Sequence, residues 1–83
     1  MTQHAQTKDE RFMLQLYIEA NKKGDVDESF DRYVIGQLVG LQAKAVDTIC
    51  VLLGKANFIR KSGEQDVALT PQGVRLVLEL LDR

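Results

Sequence analysis

The sequence has one cysteine and one histidine, Cys50 and His4, far apart in the chain. A single cysteine excludes an intrachain disulfide, and the pair excludes a zinc site built from His and Cys alone and argues against a Cys/His catalytic couple. No apolar run is long enough to span a bilayer, and Met1 to Lys8 lacks the apolar stretch of a signal peptide. A cytoplasmic protein with no membrane association is therefore expected. Internal repeats and low-complexity segments are missing, as are a Gly-rich phosphate loop, a nucleophile elbow and a ferredoxin-type cysteine set. With 83 residues there is room for one domain and none for a second carrying an effector site or catalytic cleft.

What is present describes a folded chain: 45% hydrophobic residues and a net charge of −1. Its most informative stretch runs from Ile35 to Leu69. Val39-Gly40-Leu41 interrupts an apolar-periodic run, Gly40 suits a left-handed helix end, and Gln42 opens a new period. A turn this short makes two helices cross steeply. At 100° per residue the second helix, about 42–54, gathers Ala45, Val46, Ile49, Cys50, Leu52 and Leu53 on an inner side. Its outer side carries Ala43, Lys44, Asp47, Thr48, Val51 and Lys55. Cys50 is thereby read as a small core hydrophobe.

Two β-favouring runs follow, Phe58 to Lys61 and Asp66 to Leu69, joined by Ser62-Gly63-Glu64-Gln65 with Gly63 available for positive φ. Thr70 then reads as N-cap and Pro71 as N1 of a last helix. The flanks have patterns of their own. Met1 to Thr7 reads as a disordered leader and 8–83 as the domain. From Lys8 a helix is expected, acidic at its start (Asp9, Glu10), basic at its end (Lys22, Lys23) and stopped by Gly24. Its apolar residues fill an arc of about 240°, wider than one buried face needs. Asp27, Ser29 and Asp31 are alternative N-caps for the next helix, which is expected to end at Val39 and bury Ile35, Leu38 and either Val34 or Val39. In the last helix Val74, Val77, Leu78 and Leu81 follow i, i+3, i+4, i+7, with Leu76 and Leu80 in the neighbouring sector. The apolar excess of the first and last helices suggests a homodimer through Phe12, Leu16, Leu76 and Leu80.

Taken together, Gly40, Leu41, Val46, Ile49, Phe58, Ile59, Val67, Leu69, Thr70, Pro71 and Gly73 resemble the pattern of the winged helix-turn-helix family. The resemblance implies an α+β winged helix: a three-helix core, a two-stranded β-hairpin wing at about 58–69 and a C-terminal helix. A one-residue bridge strand near Phe30 would pair with the wing. It further implies a small DNA-binding transcriptional regulator acting as a homodimer on double-stranded DNA, without a cofactor. In such proteins Gln42, Ala43, Lys44, Asp47 and Thr48 hold the positions that reach base edges, and Arg60 and Lys61 sit where a wing touches the DNA backbone.

Charge agrees with that expectation. Between Lys44 and Lys61 the cations Lys44, Lys55, Arg60 and Lys61 face one anion, Asp47, so this segment is +3 and the rest of the chain −4. The outer side of the second helix nevertheless contains no arginine, and Glu64 and Asp66 bring negative charge to the hairpin. The alternative is a winged-helix module for protein contact without DNA binding, in keeping with a pI of 5.7. Asp25, Asp27, Glu28 and Asp31 cluster at a helix start, where capping explains them. No partner for acid-base or metal chemistry accompanies them, so neither an enzyme nor a metal site is expected.

Overall fold

Helix ends and turns are set by short-range chemistry, and in the computed structural model, which describes residues 7–82, the chain runs α1 (Lys8–Lys22), β1 (Phe30–Asp31), α2 (Arg32–Leu38), α3 (Ala43–Lys55), β2 (Ile59–Lys61), β3 (Asp66–Leu69) and α4 (Pro71–Leu81). The fold is α+β, with four helices and a three-stranded antiparallel sheet in the order β1-β3-β2. Residues 1–6 of the expected leader lie outside the described residues. Thr7, assigned to that leader, is instead the N-cap of α1: its hydroxyl accepts from the Glu10 amide and the Glu10 carboxylate accepts from the Thr7 amide.

Asp31 is the N-cap of α2, its Oδ1 accepting from the Tyr33 amide at 2.8 Å. The two-residue strand β1 leads into it, with Phe30 opposite Val67, so the hairpin acquires a third strand. At the end of α2, Gly40 sits at φ +77°, and the Leu41 and Gly40 amides donate back to the Gly36 and Gln37 carbonyls. This double bond pattern stops the helix where the left-handed residue stands, and the chain direction turns by 114° into α3. The close crossing needs a second glycine: a Cβ on Gly36 would meet Val46 Cγ2 at 2.3 Å. The same terminal bond pattern closes α3 through Asn57, the one non-glycine at positive φ among the described residues. Gly63 is not in that region, so the hairpin turn forms without the positive φ expected of it.

Three rotational assignments from periodicity are corrected. In α2 Ile35 and Gly36 are buried while Val34 and Leu38 are more than half exposed. In α3 Leu52 is 56% exposed and belongs to the outer side, leaving Val46, Ile49, Cys50 and Leu53 inside. In α4 the buried positions are Gly73, Val77 and Leu80, and Leu78 and Leu81 point to water. The reason in α4 is contact: a Cβ on Gly73 would stand 2.0 Å from the Phe58 carbonyl oxygen, so this side of the helix lies against the chain leaving α3. Thr70 fixes the approach, its hydroxyl accepting from the Gly73 amide at 3.0 Å and donating to the Asn57 carbonyl at 2.6 Å.

The wide apolar arc of α1 is also consumed within the chain. Phe12, Met13, Leu16 and Ala20 are at most 1% exposed, and α1 packs against α2, α3, β3 and α4. It is the central helix of the core, where an arc of that width is what burial by several neighbours requires.

Candidate nucleic-acid interface

The outward face of α3 is built by its own periodicity. Lys44, Thr48, Val51 and Lys55 recur at i, i+4, i+7 and i+11, which places them in one row along the helix, and all four are exposed. Ala43 opens the helix and is exposed too. Gln42 precedes it as N-cap without a side-chain capping bond, so its amide is not spent on the helix end.

Beside that row lies a cleft of about 250 Å³ between α3 and the hairpin, lined by Arg32, Cys50, Val51, Gly54, Lys55, Ile59, Lys61 and Val67. Strand alternation explains the lining. Ile59, Lys61 and their ladder neighbours Leu69 and Val67 share one sheet face, whereas Arg60 and its partner Ala68 share the other. Lys55 and Lys61 are thus brought to the same cleft. Arg60 is not: its charge acts on Asp27, whose pKa is raised chiefly by the hydrogen bond with the Asp25 side chain, an effect that Arg60 opposes only weakly. The four cations of the basic segment therefore divide into three around α3 and the cleft, Lys44, Lys55 and Lys61, and one on the other side of the sheet.

Asp47 also makes contacts within the chain. Its Oδ1 accepts from the Tyr33 hydroxyl and lies 3.9 Å from Arg32 Nη1, tying α3 to the start of α2. The Tyr33 pKa is raised, first by that hydrogen bond, then by desolvation and the Asp47 charge. Arg32 also donates from Nη2 to the Glu64 carbonyl at 2.9 Å and from Nε to the Gln65 carbonyl at 3.2 Å. One guanidinium thus joins α2, α3 and the hairpin turn. Neither Arg32 nor Tyr33 was legible as part of this site, because their partners are 14 to 33 residues away in the chain. The only local hint was an arginine next to a capped helix start.

Thr48 donates to the Lys44 carbonyl at 3.2 Å, so its hydroxyl is engaged by its own helix. Cys50 forms the floor of the cleft, and burial pushes its thiol up to about 11, which keeps it protonated and unreactive at neutral pH. Lys44, Lys55 and Lys61 make no ion pair among the described residues. Among those residues no three His, Cys, Asp or Glu side chains converge as metal ligands would.

The residues expected at a dimer interface are differently placed. Phe12 and Leu16 are fully buried and Leu80 is 6% exposed, so these three belong to the core of the single chain; Leu76 is half-buried and packs against it. The apolar side chains that α1 and α4 leave in water are Ile18, Leu78 and Leu81. No single helix among the described residues is long and apolar enough to cross a membrane.

Comparison with family models, curated proteins and solved structures finds no match to this chain.

Proposed function

We propose that this chain is a winged helix-turn-helix module that binds double-stranded DNA, with α3 in the major groove and the β2–β3 hairpin as a wing along the flanking backbone. The observation that carries the reading is the row Lys44, Thr48, Val51 and Lys55, continued by Lys61 across the cleft. The one anion on that helix, Asp47, is already held by Tyr33 and Arg32. The steep α2–α3 corner and the exposed row on the second helix are what groove insertion needs. Three cations permit about three phosphate contacts, a salt slope near −3 for one protomer. A homodimer would double this, and Ile18, Leu78 and Leu81 are the side chains proposed to meet a second copy.

The test is fluorescence anisotropy with a labelled mixed-sequence duplex over a range of KCl. Binding at low salt that weakens steeply with KCl, and a slope reduced by about one for each of Lys44→Ala, Lys55→Ala and Lys61→Ala, is expected. Absence of binding at low salt, or binding indifferent to the triple variant, overturns the proposal. Sedimentation velocity checks the dimer: a species that stays monomeric at high protein concentration, or whose association ignores Leu78→Glu, removes it. The exposed Val34, Leu38 and Leu52 favour protein contact as the second reading, and a loss of all duplex binding leaves that reading in place.

A further inference from the structure

The outer side of α3 carries few polar groups able to read a base. Asp47 Oδ1 accepts from Tyr33 and lies near Arg32, the Thr48 hydroxyl gives its proton to the Lys44 carbonyl, and the amide left for a base is that of Gln42, ahead of the row. What remains in the row is methyl surface: Val51, 54% exposed, and the methyl of Thr48, bracketed by Lys44 and Lys55. Ala43 adds a further methyl at the helix start. An exposed valine between two lysines is poorly suited to bulk water and well suited to a groove whose walls are phosphates and whose floor carries methyl groups. In the major groove only thymine presents a C5-methyl, and contact with small apolar side chains is how it is read.

Resting on the DNA-binding reading above, we infer that α3 recognises thymine methyl groups through Val51 and Thr48, so that the chain prefers A·T-containing duplexes by methyl contact. The lysines supply the phosphate attraction common to all sequences. The choice of base comes from burial of methyl against methyl, about fourfold in affinity for each methyl group removed from water.

The experiment replaces the methyl and nothing else. Binding of the full chain is compared on an alternating dA·dT duplex and on the same duplex with deoxyuridine for thymidine. A G·C-rich duplex with and without 5-methylcytosine, which carries a methyl at the same ring position, gives the converse. The wild-type chain is expected to lose about fourfold or more on deoxyuridine and to gain similarly on 5-methylcytosine. Val51→Ser with Thr48→Ser removes the γ-methyl groups at both positions and keeps the hydroxyl at 48, and should erase most of both differences while leaving the salt slope unchanged. Equal affinity of the wild-type chain for thymine and uracil duplexes overturns the inference while the DNA-binding reading stands. A thymine preference undiminished in the double variant also overturns it, since Val51 and Thr48 would then not be its source. Failure to bind any of the duplexes at low salt removes the DNA-binding reading and the inference with it.

Discussion

Helices α1 and α3 are similar in length and both mix apolar and charged residues, yet the chain uses them in opposite ways. In α1 the apolar arc is enclosed by α2, α3, β3 and α4, and Phe12, Met13, Leu16 and Ala20 are lost from the surface. In α3 a narrower stripe of Val46, Ile49, Cys50 and Leu53 suffices to anchor the helix, and the opposite row is left to water. A wide apolar arc thus marks a central helix here, and among its large aliphatic residues only Ile18 is left exposed. The functional candidate is the helix with less to bury and two lysines in its outward row.

The comparison can be broken most severely at α1. Phe12→Ala or Leu16→Ala should lower stability by about 3 to 5 kcal/mol in urea unfolding, as expected for a large core side chain. A loss below about 1 kcal/mol would contradict their burial in the core of the single chain. Next in size is Gly73→Ala, which puts a methyl against the Phe58 carbonyl and should cost about 1 to 3 kcal/mol by forcing α4 off its seat on the core. Calorimetry of this variant beside Leu78→Ala, which should be nearly silent in stability, tests the rotation assigned to α4.

On α3 the expectation reverses. Lys44→Ala and Lys55→Ala should change stability by less than about 0.5 kcal/mol. Each should nevertheless weaken duplex binding and flatten its salt dependence. Within the hairpin, Lys61→Ala is expected to share that effect and Arg60→Ala to show less of it, since the two side chains leave opposite faces of β2. Equal effects would show that the cleft is not the binding surface.

The smallest effect lies where α2 meets α3: Cys50 is raised to about 11 by burial, and Tyr33 is raised by its bond to Asp47. Both folded pKa values lie above the unfolded ones, so the folded state holds its protons longer. For Cys50 the stability this adds is complete below about pH 9 and is lost as pH rises toward 11. Thiol labelling of the native chain should be correspondingly slow at pH 8, and rapid labelling there would contradict a buried Cys50.

Much of the element order was legible because it is locally encoded. Gly40 between two apolar periods, Thr70 before Pro71 and Gly24 after two lysines each mark a boundary through bonds spanning a few residues. The side of each helix that faces inward was less legible. Leu38 and Leu52, expected inward from periodicity, lie outward, as do Leu78 and Leu81, which share the spacing of the buried Val77. A hydrophobic wheel gives the width of an apolar arc, and where the arc is wider than the available neighbour its centre is undetermined. The candidate site divides the same way. Lys44, Thr48 and Lys55 could be found from helical spacing, while the Arg32–Asp47–Tyr33 cluster and the separation of Arg60 from Lys61 could not.

By itself, then, the sequence determined the order of the elements, several of their boundaries and which segment carries the positive charge, because caps, turns and charge are properties of neighbouring residues. Tertiary structure decided which way each helix is turned. The close approaches at Gly36 and Gly73 leave room for one rotation of α2 against α3 and of α4 against the Phe58 carbonyl. It also decided that Arg32 reaches a hairpin turn 32 residues away. Such contacts form only once the packed core has brought distant segments together, and no local pattern specifies them.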